Sequence, residues 1–587
     1  MFSRPSRVAV VVVFGCASPA ARVVSKPPPA PPDVPAKIDV DRPPAPAGTT
    51  PAPALDAMTA ELKRSFEALS KHEAPPYFAS YEVTDSRSIA IGASFGTLTS
   101  SVDDTSRVLD VDVRVGDYKR DNTHVMRSSH DRGQTFTQRL PIDDDGYALR
   151  TALWRATDDA YVKAAEQLAK VKTNEKVEAQ IDDQSDDFSH EAPVTAVEAP
   201  ATIELDVHAW EMRLRTLSAA FRAYTALETA RVDLTATAET RYFASSDGTR
   251  LQLPERHLRV TVSASALTDD GMFVHRVESF DAAAPDGLPT DAQIAAKIEL
   301  VARDVTALRA APVADPYIGP TLLEGKAAGV FFHEVFGHRI EGHRQKSDAE
   351  GQTFTKKVGE PIMPAFIDVY DDPTIGKLDG TDLNGFYRYD DEGVAATKAS
   401  LVERGVLKGF LMDRGPISGF PSSNGHGRRR SGHSVVARQG NLVVAPSRTV
   451  DRAVLRQMLL DQIKQQGKPY GLIVRELDGG FTLTQRFEPQ SFKLLPVMLY
   501  RLYPDGHEEL VRGADLEGTP LRALGDIIAA GNDVDTFNGY CGAESGFVPV
   551  SATSPSLLIA HLEIAKKASG STKPPILPAP AWTEGAR

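Results

Sequence analysis

Cysteine is nearly absent: 587 residues hold only two, Cys16 and Cys541. A disulfide framework is thereby excluded as the organising device, and Cys541 stands alone in the body of the chain. Concentrated positive charge is also missing. The formal net charge of -13 argues against a nucleic-acid binder, since affinity for a phosphate backbone needs clustered Lys and Arg, and it favours neutral or mixed-charge partners. The apolar run Val8 to Phe14 is far too short to cross a bilayer as a permanent helix.

What is present begins with a leader. Arg4 and Arg7, the apolar run and Gly15-Cys16-Ala17-Ser18 have the layout of a bacterial export signal over residues 1–18. Val13-Phe14-Gly15-Cys16 resembles a lipoprotein cleavage box, although Phe14 is bulkier than usual there. The expectation is export to the periplasm or cell surface, with membrane attachment only through a lipidated Cys16. Residues 19–54, rich in Pro and Ala, read as a polyproline-type tether.

The length is too great for one core, and the character of the sequence divides it. Residues 55–310 predict a mixed domain. Helices are expected at Ala57 to His72, Thr151 to Lys172, His208 to Thr229 and Ala292 to Leu308, and strands at Tyr77 to Thr84, Ser88 to Leu98, Arg107 to Val115, Arg231 to Ala244, Leu258 to Ala264 and Phe273 to Phe280. The acidic run Asp182 to Asp187 reads as a solvated loop. Residues 311–572 are richer in Gly and strand patterns, which predicts an extended antiparallel sheet with helices near Ala327 to Phe336 and Asp451 to Gln466; 573–587 form a Pro-rich tail. The fold class expected is α+β in two domains, the second carrying the chemistry.

That chemistry centres on Phe331-Phe332-His333-Glu334-Val335-Phe336-Gly337-His338-Arg339. Two imidazoles and a carboxylate interrupt an apolar run, and burying them is costly unless a partner such as a divalent metal engages them. His333 and His338 are five residues apart, which in a regular helix leaves them roughly 140° apart around the axis. Gly337 therefore predicts a π-bulge or a helix end just before the second ligand. Glu334 is placed to act as general base on a metal-activated water. Catalytic zinc usually takes a third protein ligand. Cys541, His343, His426, His433 and the cluster Asp390-Asp391-Glu392 are all open candidates. Arg428, Arg429 and Arg430 read either as a clamp for a substrate carboxylate or as a solvated basic turn.

These residues resemble the TldD/PmbA metalloproteases, also called modulators of DNA gyrase. His333-Glu334-x-x-Gly337-His338 with Glu341-Gly342 is similar to the family's metal helix, Asp390-Asp391-Glu392-Gly393 to its acidic turn, Gly405 to Leu411 to a strand pair, and Asn424 to Arg429 to its Gly-Arg loop. Asn441 sits where the family has a short Asn-containing strand, and Cys541-Gly542 with Val548 to Ser551 is similar to its cysteine motif. The resemblance implies one zinc per subunit on His333, His338 and Cys541, Glu334 as catalytic carboxylate, and a large twisted antiparallel sheet in the C-terminal domain. It implies hydrolysis of unfolded or small peptides in a dimer, either a homodimer or a heterodimer with a metal-free paralogue. Arg428, Arg429 and Asn441 become candidate substrate-binding residues. Ala543-Glu544-Ser545-Gly546 departs from the Lys and Gly-Gln that usually follow the cysteine motif. The rival reading is a non-catalytic peptide-binding or scaffold subunit.

Overall fold

The structure is a computed structural model that describes residues 35–126, 136–174, 183–347, 349–486, 490–567 and 577. The leader with Cys16, the first part of the tether and, apart from Leu577, the Pro-rich tail lie outside the described residues.

The described part of the tether is not a free spacer. Val40–Asp41 pairs with Lys377–Leu378 as a short antiparallel ladder, Arg42 Nη2 stands 2.6 Å from Asp372 Oδ2, and Ala52 N donates to Gln252 Oε1 at 2.8 Å. Composition concealed this, because Ile38 and Val40 pack into a small apolar cluster with Ile375 and Leu378 among prolines that read as solvated.

Helix α1 (Pro53–Leu69) opens on a proline, whose missing N–H costs nothing in the first turn. Strands β1 (Pro76–Ser94) and β2 (Thr97–Val115) follow, then α2 (Gly146–Asn174), α3 (Val207–Ser218), β3 (Thr229–Ser245), β4 (Arg250–Leu267), β5 (Phe273–Ala282) and α4 (Asp291–Ala310). They form a seven-stranded sheet in which β2, β1, β3 and β4 are successive antiparallel neighbours. Alternation puts Ala79, Tyr81, Val83, Ile89, Ile91 and Ala93 of β1 on one face. At one end of that face they meet α1 and α2, at the other α3 and α4. A capping box of Thr290 and Gln293 starts α4, satisfying N–H groups its first turn leaves free.

The opposite face of this sheet carries Glu82, Asp110 and Arg241, each buried. The C-terminal domain covers them: Arg241 donates to the Asp391 carboxylate and to Tyr389 O, and Arg429 lies 3.4 Å from Glu82. The acidic run expected in solvent joins the same interface, where Asp187 is buried, bonds His124 Nδ1 at 2.7 Å and accepts from Asp121 N. Burying so many charges is tolerable because each faces a counter-charge or backbone donor.

The C-terminal domain runs β6 (Tyr317–Leu323), α5 (Gly325–Val335), β7 (Ile367–Asp371), β8 (Ala399–Glu403), β9 (Asn441–Pro446), α6 (Arg452–Gln465), β10 (Gly471–Thr482), β11 (Phe492–Leu502), β12 (Ala514–Gly518), β13 (Ile527–Ala543) and β14 (Gly546–Lys566). Its sheet has eleven strands, predominantly antiparallel as expected, with parallel pairings of β9 to β14 and β6 to β10. β14 is the spine: β13 then β12 line one edge, β9 then β6 the other. Because β6 also pairs β10 over Leu472–Val474, the strands β14, β12, β11, β10 and β6 close into a ring at that level and leave the rest of β10's outer edge unpaired among the described residues. Of the stretch Gly405 to Leu411, likened to a strand pair, only Val406–Leu407 is a strand, and Leu411 makes a single bridge to Glu341.

Candidate metal centre

Helix α5 is apolar on every side, and Ala327, Ala328, Phe331, Phe332, Val335 and Phe336 are all fully buried. It lies directly on β14, since a Cβ at Gly329 would stand 2.5 Å from Ala552 O. This contact sets His333 on the last turn of a rigid, buried element. The regular helix stops at Phe336, and His338 rides on the following 3-10 turn, Gly337–Ile340. The expected irregularity is therefore a helix end. Gly337 is not in a left-handed conformation; it is glycine because any Cβ would lie 1.9 Å from Gln439 Oε1.

The third side chain comes from β13. Cys541 sits within that strand, between Tyr540 and Gly542, opposite Val548 of β14 and just before the hairpin tip. Its Sγ lies 3.1 Å from Nε2 of His333 and 3.2 Å from Nε2 of His338. The three ligand atoms fall within 4.8 Å of one another, and all three residues are buried. Tetrahedral zinc, with Zn–S of about 2.3 Å and Zn–N of about 2.0–2.1 Å, requires S to N separations of about 3.5 Å, so the set accommodates the ion by opening a few tenths of an ångström. One thiol and two imidazoles are the donors zinc prefers, and His333 Nδ1 is buried without a hydrogen-bond partner, so its Nε2 is the nitrogen turned to the cluster.

Electrostatics favour the ligand form of Cys541 alone: burial lowers His333 and His338, but Cys541 outweighs it and raises both imidazoles toward the protonated form, so metal binding must release those protons. Burial pushes the Cys541 thiol up, but His338, His333 and Arg438 pull it well below the ordinary range. Burial likewise raises the Glu334 carboxyl, with His338 and His333 opposing. Glu334 Oε2 lies 4.0 Å from His338 Nε2, and Gly480 of β10 leaves room for it, since a Cβ there would meet Glu334 Cγ at 3.0 Å. His338 Nδ1 donates to Glu341 at 3.2 Å. Burial would raise Glu341, yet Arg344 and His338 hold it down at about 2.

The other candidate ligands serve elsewhere. His343 Nε2 meets Glu544 at 2.7 Å, and His426 Nε2 meets Asp371 at 3.3 Å. His433 lines the cleft outside the cluster. Asp390 accepts from the backbone N of Glu392, Val394 and Gly427, Asp391 from Arg429 N, and Glu392 from Arg414 N, so these carboxylates fix a turn. Arg428 is buried and donates to Gln439 O and Pro549 O, and Arg429 faces Glu82 and Asp110. Asn441 Nδ2 donates to Asp372 O and Ile375 O. None of Arg428, Arg429 and Asn441 is among the lining residues of the cleft holding the cluster. They are internal braces, neither a clamp on that cleft nor a solvated turn.

Sequence reasoning overlooked Arg438, which is fully buried and donates to Cys541 O at 2.7 Å. The available signal was the one that exposed the histidines: a charge inside an apolar stretch, Val435-Val436-Ala437-Arg438.

The cluster opens into a cleft of about 1280 Å³, above the roughly 300–1,000 Å³ of ordinary small-molecule sites. Gly479, Gly480 and Phe481 of β10 line one side, Tyr540 and Gly542 of β13 the other. Helix, hairpin and donor set together define a candidate metal site. Residues 317–566 match the family described as PmbA/TldA metallopeptidase C-terminal domain. A metalloprotease of Methanocaldococcus jannaschii is 28% identical over 39% of this chain and 47% of its own length, and a TldD homologue of Haemophilus influenzae 27% identical over 42% and 48%. The chain thus spans about half the length of the curated relatives it matches. TldE of Thermococcus kodakarensis shares the fold, with a TM-score of 0.56 at 15% identity over 87% of this chain and 100% of that one. A Thermotoga maritima protein described as a modulator of a DNA gyrase also has a TM-score of 0.56 at 15% identity, over 86% and 99%. Residues 317–566 are thus similar to the C-terminal domain of the TldD/PmbA metallopeptidases.

Proposed function

We propose that this chain is a zinc-dependent peptidase acting on unfolded or small peptides, with one zinc on His333, His338 and Cys541. The observation that supports it most is the meeting of these three donors, from two distant segments, at the floor of a peptide-sized cleft. Bound zinc supplies Lewis acidity, polarising the scissile carbonyl and acidifying a water. Glu334 then takes the proton of the attacking water on its carboxylate and delivers it to the leaving nitrogen. Its apolar surroundings, which raise its proton affinity, suit it to hold that proton between the two transfers.

The banks of the cleft support an extended substrate. β10 pairs β6 only over Leu472–Val474, so its outer edge from Arg475 to Thr482 has no strand partner among the described residues. Among the described residues β13 has β14 as its one strand partner, which leaves its other edge near Tyr540 without a ladder. Such edges take a peptide by main-chain hydrogen bonds, giving breadth of specificity. Pairing into a homodimer, or with a metal-free paralogue, and export with lipidation at Cys16 complete the proposal.

The test is mass spectrometry of an unfolded peptide mixture after incubation with the zinc-loaded chain and with Glu334→Gln. New fragments with the wild type alone support the reading. Tight zinc with no cleavage by either supports the non-catalytic subunit instead.

A further inference from the structure

Glu341 is fully buried and stands between two arginines that reach the hairpin bearing Cys541. Its Oε1 accepts from His338 Nδ1 at 3.2 Å, and its Oε2 accepts from Arg344 Nε at 2.8 Å. Arg438 Nε lies 3.5 Å from Oε1. Beyond Glu341 the arginines diverge to one destination. Arg438 Nη2 donates to Cys541 O at 2.7 Å, and its Nη1 to Ser545 Oγ at 2.7 Å and Gly546 O at 3.1 Å. Arg344 Nη2 donates to Glu544 Oε2 at 2.9 Å.

Two facts make this arrangement consequential. Among the described residues the tip of the hairpin has no ladder on the outer edge of β13, so no such pairing sets its distance from the helix. Glu544 and Ser545 of the tip are also both engaged by side-chain hydrogen bonds from these arginines. A planar guanidinium fixes the direction of each hydrogen bond as a flexible ammonium does not. Burying a charge to make three such bonds is costly, and an apolar residue would fill the space more cheaply. Positioning is the gain that offsets that cost.

We propose that Arg438 and Arg344 are positioning residues: anchored on Glu341, they grip the Ala543–Gly546 tip and carry the Cys541 sulfur to His333 and His338. The inference rests on the metal-centre reading above. It assigns the alignment of the third ligand to a clamp in which Glu544 and Ser545 of the tip take part.

The experiment measures zinc affinity of the full chain by competition with a chelating dye, together with the thiolate-to-cobalt absorption of the cobalt-substituted protein. Arg438→Met is expected to lower zinc affinity roughly 10- to 100-fold and to weaken the cobalt band, as losses of outer-shell partners do. Arg438→Lys is expected not to restore either. Ser545→Ala, which removes one acceptor and leaves Gly546 O in place, decides the matter if Arg438→Met does not fold: a several-fold loss supports the clamp. A double-mutant cycle with Glu341→Gln is expected to be non-additive. Wild-type affinity and an unchanged cobalt band in the folded Arg438→Met and Ser545→Ala variants overturn the clamp. Failure of the wild type to bind zinc overturns the metal reading itself, a distinguishable result.

Discussion

Cys541 Sγ lies 3.1 Å from His333 Nε2 although 208 residues separate them in the chain. The helix of one and the hairpin of the other share no turn or loop, so a metal held between them ties two remote segments of the C-terminal domain. Metal binding is then linked to folding stability. Cys541→Ala is expected to drop zinc from about one per chain to near zero while circular dichroism stays native. Added zinc should raise the melting temperature of the wild type and leave that of the variant unmoved.

Glu334→Gln separates binding from turnover. The amide keeps the shape of the carboxylate but neither takes nor returns a proton. Zinc content is expected to match the wild type while peptide cleavage falls roughly 10²- to 10⁴-fold, measured as fragment release under saturating substrate.

Gly337→Ala tests the close approach behind the second ligand. The added methyl would sit 1.9 Å from Gln439 Oε1, and Gln439 Nε2 donates to His333 O at 3.4 Å, so relief of the clash moves the first ligand's backbone as well. Urea denaturation should show a loss of about 1–3 kcal/mol, with zinc affinity reduced in parallel.

A pH prediction comes from the N-terminal sheet. Glu239 sits directly across from Glu255 on the neighbouring strand. Burial, and then Glu255, raise its carboxyl from the ordinary 4.5 to about 7. The fold therefore holds that proton more tightly than the unfolded chain does. The stability this confers is fully present below pH 4.5 and is lost as pH rises through about 7. Glu239→Gln, which cannot ionise, is expected to match the wild type at pH 4.5 and to exceed it by roughly 1–3 kcal/mol at pH 8, read from denaturation curves at the two pH values.

The metal helix was legible because its signal is local: charges inside an apolar run, with a five-residue spacing that a regular helix cannot satisfy. The strands of the N-terminal sheet were legible by alternation, but not their full extent. Polar Asp85-Ser86-Arg87 reads as a break between two strands, whereas β1 passes straight through and pairs those residues on both sides. The hairpin β13–β14 was missed because Gly531, Asn532, Asp533, Pro549 and Pro555 read as loop. Bulging near Gly531 to Asp533 and a ladder that accepts Pro549 opposite Tyr540 let the strands continue. Arg438 and the polar face of Glu82, Asp110 and Arg241 were illegible in a stronger sense. Their partners lie one to several hundred residues away, and only the folded chain brings them together.

X-ray absorption at the zinc edge of the metal-loaded protein tests the central claim most directly. The account predicts one sulfur at about 2.3 Å and nitrogen or oxygen neighbours at about 2.0–2.1 Å, with the sulfur lost in Cys541→Ala. A shell of nitrogen and oxygen alone in the wild type, or no retained zinc, would contradict it.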